Sequence, residues 1–79
     1  MKNNKATIDG YAVSSEIRKI LIDEGSLALR IIPENSEKIK LCETLKIQKG
    51  NPLPEGADLV LAPEKVSDYA TVAVIDTLG

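Results

Sequence analysis

The chain has 79 residues, 43% of them hydrophobic, and a net charge of −2 from twelve acidic and ten basic side chains that are mixed along its length. This is enough for one small domain, and with Tyr11 and Tyr69 as the aromatic residues its core must be aliphatic. The charge balance offers no basic stripe for nucleic acid, and the absence of histidine excludes His-based triads, Cys–His pairs and the common zinc sites.

Residues 1–6 are polar and expected to be loose. Without a long apolar run they read as neither a signal peptide nor a membrane anchor. Cys42 is the single cysteine, which leaves no intrachain disulfide and fits a reducing, cytoplasmic compartment. Asp9-Gly10 is a turn dipeptide, and Tyr11-Ala12-Val13 is a short strand leaving it. Taken alone, Asp9 reads as a turn residue that bonds its own backbone.

Ser14-Ser15-Glu16 can open a helix, with either serine as N-cap and Glu16 in the first turn. Ile17, Ile20 and Leu21 then fall on one face at helical spacing, and Gly25 supplies the stop. A strand through Ile20-Leu21-Ile22 competes, because β-branched residues are frequent there. The helix is the favoured reading, with Arg18, Lys19 and Asp23 on its solvated face.

Leu27 to Ile32 reads as a strand ended by Pro33 and the polar turn Glu34-Asn35-Ser36. Ile39-Lys40-Leu41 and Leu45-Lys46-Ile47-Gln48-Lys49 alternate apolar and polar residues and predict two further strands. Lys40 and Lys46 lie on their wet faces, and Cys42 occupies an ordinary strand position with nothing nearby to activate its thiol.

Lys49 to Asp58 is the most constrained backbone in the chain. Pro52 and Pro54 fix φ at about −65° and bias Asn51 and Leu53 towards extended geometry, while Gly50 and Gly56 permit tight reversals. A stiff surface loop is predicted, delivering the chain into the apolar run Leu59-Val60-Leu61-Ala62, which should be covered on both faces. Pro63-Glu64-Lys65 closes that run, Val66 to Tyr69 form a connection, and Ala70 to Ile75 form the last strand. The expectation is a mainly β, compact single domain of five or six short strands with one short helix at most.

Two motifs then carry a resemblance. Ile8-Asp9-Gly10-Tyr11-Ala12-Val13 is followed, after an interval, by Ile47-Gln48-Lys49-Gly50-Asn51-Pro52-Leu53-Pro54-Glu55-Gly56-Ala57-Asp58-Leu59-Val60 and then Glu64. In this order they resemble the MoeA family of molybdopterin molybdotransferases, to which the gephyrin E domain is related. The family pattern is Met-Asp-Gly-Tyr-Ala-Val, then a strand entering Thr-Gly-x-Pro-x-Pro-x-Gly-Ala-Asp, with a Glu a few positions on. The resemblance covers the mostly β second domain, and the family's other domains lie outside these residues.

In the family the site lies in a cleft between the α/β domain of one subunit and this β domain of its partner. The resemblance therefore implies a cleft wall drawn from Asp9, Gly10, Tyr11, Lys49, Gly50, Pro52, Pro54, Glu55, Gly56, Asp58 and Glu64. Adenylylated molybdopterin and molybdate are anionic, so backbone N–H groups of a rigid loop could orient them, and a carboxylate could help to hold Mg²⁺. The sequence departs from the pattern at Lys49, where the family has Thr, and at Ile8, where it has Met.

Without the α/β domain, neither catalysis nor a bound cofactor is expected of this chain alone. The implied partners are a MoeA-type catalytic domain or a second copy of the chain, with no role for nucleic acid or membrane. The alternative is a module for a small anion or a protein outside molybdenum metabolism, which Lys49 favours. An enzyme in its own right would need Asp9, Asp58 and Glu64 to converge on a metal.

Overall fold

Alternation along β1 (Gly10–Val13) sends Tyr11 and Val13 to one face of a sheet and Ala12 to the other, and all of β1 is buried. In the computed structural model, which describes residues 5–76, five further strands complete this sheet. They are β2 (Leu27–Ile31), β3 (Glu43–Ile47), β4 (Leu59–Leu61), β5 (Ser67–Asp68) and β6 (Val72–Ile75), with helix α1 (Ile17–Glu24) after β1 and a 3₁₀ turn at Pro63–Lys65. The strand order is β4-β1-β3-β2-β6-β5. Every pairing is antiparallel except that of β2 with β3. The mainly β expectation holds, with six strands and one α-helix among the described residues.

The sheet is mixed and curled, and each face of β1 meets a different core. On the inner face Val13, Leu29, Leu61 and Ile75 pack against Ile17 and Leu21 of α1. On the second face Ala6, Ala12, Ile39, Leu45 and Ile47 pack together, with Leu53, Ala57 and Val60 against them. Leu59 and Leu61 thus serve one core and Val60 the other, as the unbroken apolar run predicts. Thr44 is buried between strands and satisfied, its hydroxyl donating to the Ala12 carbonyl at 2.8 Å.

Residues 17–24 are helical, so the 3.6-residue spacing outweighs the β-branched composition. Ile17 and Leu21 are buried and Arg18, Lys19 and Asp23 exposed, while Ile22 points outward at 77% exposure. Gly25 ends the helix at φ 82° with its N–H on the Leu21 carbonyl, as the stop signal implies. The start differs from the expectation. Glu16 precedes the helix without a side-chain cap, and neither serine is the N-cap.

Other departures have local causes. Ile39-Lys40-Leu41 is not a strand: Ile39 is drawn into the second core by an N–H bond to the Glu55 carbonyl, and Leu41-Cys42 form a turn. The Glu43 carboxylate accepts the Lys40 N–H at 2.9 Å and fixes that turn. Cys42 is therefore an exposed turn residue rather than a strand position. The connection expected at Val66 to Tyr69 contains β5, and Ala70-Thr71, expected in the last strand, form a bend with Ala70 at φ 73°. Of the leader expected to be loose, residues 1–4 lie outside the described residues. Lys5 bridges Pro52, and Ala6 is buried and pairs with Asn51 and Gly50.

Candidate functional site

The Asp9-Gly10 turn and the Lys49 loop, 40 residues apart, meet directly. The Lys49 backbone N–H donates to Oδ1 of Asp9 at 2.7 Å. Asp9 thus bonds the opposing loop and not, as its dipeptide alone suggests, its own turn. The register of β1 explains the meeting, since Gly10 stands opposite Ile47 and the chains leaving each pair run side by side. Gly10 is required here because a Cβ would lie 2.1 Å from the Leu61 carbonyl oxygen on the neighbouring strand. The Gly50 N–H donates to the Ala6 carbonyl at 2.8 Å, which ties the same corner to the chain preceding β1. Asp9, Lys49 and Gly50 are all exposed there.

Asp58 lies at the opposite end of β1. Its carboxylate accepts the Ser15 N–H and the Ser15 hydroxyl, each at 2.7 Å, and its own N–H donates to Val13. Those two bonds from Ser15 hold its carboxyl below the usual carboxylate range. Asp58 thus fixes the turn into α1. The four residues of β1 separate that end from Asp9, roughly 13 Å of extended chain. Glu64 is exposed on the 3₁₀ turn that leaves β4 after Leu61, which pairs with Tyr11.

The carboxylates do not assemble into a metal site. Among the described residues no three His, Cys, Asp or Glu side chains group closely enough to hold an ion. The convergence of Asp9, Asp58 and Glu64 that an enzyme would need is not formed, and the Mg²⁺ implied by the resemblance does not fit this chain's residues alone.

Tyr11 faces the inner core rather than the corner. Its hydroxyl donates to Oδ2 of Asp68 at 2.7 Å, and the ammonium of Lys46, its cross-strand neighbour, lies 3.1 Å from the same oxygen. Burial, the hydrogen bond and the adjacent negative charge push Tyr11 up to about 12. The bond from Tyr11, the Ala70 N–H and Lys46 bring Asp68 down to about 2. Neither Lys46 nor Asp68 is marked out by sequence. Alternation places Lys46 opposite Leu45 and Ile47, but the curl of the sheet makes that side the inner one.

The Pro-x-Pro loop covers the second core. With the 34–37 turn it forms an open groove of about 890 Å³ over Leu45 and Ile47, lined by Pro52, Pro54, Glu55 and Gly56 among others. Gly56 has φ 94°, and a Cβ there would stand 2.4 Å from the Ile39 carbonyl oxygen. The expected wall of anion-binding N–H groups is largely spent inside the fold. Asn51 donates to Gln48, Glu55 to Glu37, Ala57 to Pro54 and Asp58 to Val13, while Pro52 and Pro54 have no N–H to offer. The eleven candidates thus separate into a corner with Asp9, Gly10, Lys49 and Gly50, a groove with Pro52 to Gly56, and two structural clasps at Tyr11 and Asp58, with Glu64 on the exposed turn after β4.

No helix of the described residues is long and apolar enough to cross a membrane. No family model matches the chain, and no curated protein sequence matches it. Solved structures do. One of the molybdopterin biosynthesis MoeA protein from Pyrococcus horikoshii superposes with a TM-score of 0.80 at 28% identity, over 95% of this chain and 21% of that one. A second, from strain OT3, gives 0.79 at 20% identity over 98% of this chain and 22% of its own, a likeness of fold. The chain therefore spans about a fifth of the MoeA chains that it matches. The resemblance carried by the two motifs extends to the whole fold, and the chain is a MoeA-like β domain.

Proposed function

We propose that this domain is a non-catalytic module of molybdenum cofactor biosynthesis that supplies one wall of a molybdopterin/molybdate cleft. A separate MoeA-type catalytic domain, or a second subunit carrying one, completes that cleft. The observation that carries the reading is the bond from the Lys49 N–H to Asp9, which brings both motifs to one exposed corner. The likeness to the MoeA structures supplies the chemistry. In this reading Asp9 spends one carboxylate oxygen on the loop and orients the other outward, and the Lys49 ammonium attracts the anionic substrate.

Catalysis is assigned to the partner because this domain spans about a fifth of the MoeA chains that it resembles. The test is complementation. A MoeA chain lacking the corresponding fifth of its length is mixed with this domain, and molybdate insertion into molybdopterin is followed. Restored insertion supports the reading, and no insertion and no complex at saturating domain contradict it.

A second reading is a module for a small anion or a protein outside molybdenum metabolism. It is favoured by Lys49 itself, an exposed cation standing at the family's Thr position. Among the described residues the ion pair formed is Lys46–Asp68, and it does not involve Lys49. Inorganic phosphate or molybdate binding by the isolated domain, lost in Lys49→Gln, would separate this reading from the first.

A further inference from the structure

The Gly50 N–H anchors the Asp9–Lys49 corner to the chain before β1, but the ends of β1 and β3 set its width. Gly10 and Ile47 are the last paired residues before the two strands part towards the corner. Gly10 has no side chain, and Ile47 turns into the second core. The next pair inward, Tyr11 and Lys46, is therefore the nearest whose side chains hold both strands together on the inner face. Both converge on one atom. Oδ2 of Asp68 accepts the Tyr11 hydroxyl at 2.7 Å and lies 3.1 Å from the Lys46 ammonium.

The Asp68 carboxylate is itself aimed. It stands on the two-residue strand β5 at the sheet edge, and its Oδ1 accepts the Ala70 N–H at 2.7 Å. That turn holds Ala70 at φ 73°, a left-handed conformation that residues other than glycine rarely adopt. Oδ1 is thereby occupied, and Oδ2 is left for Tyr11 and Lys46.

The segment that leads to Asp68 is fixed on Tyr11 at both ends. Leu61 pairs with Tyr11 in the sheet, and Asp68 meets its hydroxyl. Between them lies the 3₁₀ turn that carries Glu64. Because β4 runs antiparallel to β1, this turn leaves β4 at the Gly10 end, where the Leu61 carbonyl leaves no room for a Cβ on Gly10. Glu64 and the Asp9 corner thus share one end of β1.

We propose that Asp68 is a positioning residue for the cleft wall, holding Asp9, Lys49 and the Glu64 turn in one frame through Tyr11 and Lys46. The proposal rests on the cleft reading and names what sets the shape of that wall. Asp68 acts through its neighbours and touches no ligand. Its removal frees the Tyr11 hydroxyl and the Lys46 ammonium, and it takes the far anchor from the segment between Ala62 and Ser67. A ligand then meets a wall that must be ordered on binding, which weakens binding and leaves the partner's chemistry unchanged.

The test pairs amide exchange with complementation, using the whole domain as wild type, Asp68→Ala and Tyr11→Phe. The exposed Lys49 amide exchanges by local opening, so a loss of global stability alone leaves it unchanged, whereas a loosened corner speeds it. Both variants should speed Lys49 exchange about tenfold, while the Ile39 amide, bonded to the Glu55 carbonyl, keeps its rate. With a MoeA chain lacking the corresponding fifth, Asp68→Ala should raise the half-saturating domain concentration about tenfold without lowering the saturating rate of molybdate insertion. Asp23→Asn, on the solvated face of α1, removes a charge elsewhere and should change neither measurement. Unchanged Lys49 exchange in both variants, equal acceleration at Ile39, or an unchanged half-saturating concentration would overturn the proposal. Absence of insertion with the wild-type domain contradicts the cleft reading instead, and Lys49 exchange then decides whether Asp68 holds the corner.

Discussion

Tyr11 and Asp68 are 57 residues apart in sequence and on strands four places apart in the sheet, yet their side chains share a 2.7 Å hydrogen bond. The bond crosses the inner face and joins the short β5 to β1, so it holds the sheet in its curl around Val13, Leu29, Leu61 and Ile75. Lys46 adds the ion pair from β3. Tyr11→Phe should lower stability by about 1 kcal/mol, since the hydroxyl is replaced without opening a cavity. Lys46→Met, at a half-exposed pair, should cost less. Denaturant midpoints of the single and double variants check this, and the two effects should not add, because both partners act through one oxygen.

The same clasp sets the pH limits. Asp68 is lowered from 3.8 to about 2, so its contribution is complete above pH 3.8 and is lost as pH falls through 2. Tyr11 is raised from 10.0 to about 12, so its contribution is complete below pH 10 and is lost as pH rises towards 12. Thermal midpoints should fall at both extremes, and Asp68→Asn should flatten the acid side. Asp58, also lowered, adds to the acid loss in the wild type.

Glycine substitutions should separate crowding from backbone strain. Gly10→Ala places a methyl 2.1 Å from the Leu61 carbonyl oxygen and must push β4 from β1, at a cost of about 2–3 kcal/mol. Gly25→Ala has open space around it but keeps φ 82°, and should cost about 1 kcal/mol. Reversal of that order in chemical denaturation would contradict the packing described for β4.

Asp9 can be tested as an anchor separately from any ligand. In the wild type the Lys49 amide should exchange slowly because Oδ1 of Asp9 accepts it. Asp9→Asn keeps an oxygen at that position and should preserve most of the protection, whereas Asp9→Ala should abolish it. Asp58→Ala should behave differently, fraying the start of α1 at a cost of about 1 kcal/mol by freeing both Ser15 donors.

Much of this fold is legible locally. The spacing of Ile17, Ile20 and Leu21 with Gly25 gives α1, and unbroken Leu59 to Ala62 gives a strand between two cores. What misleads is short alternation without a partner: Ile39-Lys40-Leu41 has strand composition, but Ile39 is taken by Glu55 and Glu43 stabilises a turn. The arrangement of the candidate residues is legible only in part. The resemblance carried by the two motifs groups Asp9 with Lys49, and the pairing of Gly10 with Ile47 is what joins them. The resemblance cannot reveal that Asp58 turns away to Ser15, that Tyr11 turns inward to Asp68, or that the loop's N–H groups are consumed. Those facts depend on register and curl, which arise between segments far apart in the chain.

The central claim is that the Asp9–Lys49 corner is a cleft wall. Its most direct test is amide chemical-shift mapping of this domain as a MoeA chain lacking the corresponding fifth, loaded with molybdopterin, is added. The expected result is saturable shifts at residues 8–10 and 49–50, lost in Lys49→Glu. Shifts confined to the 34–37 and 51–57 groove, or no shifts at saturation, would contradict it.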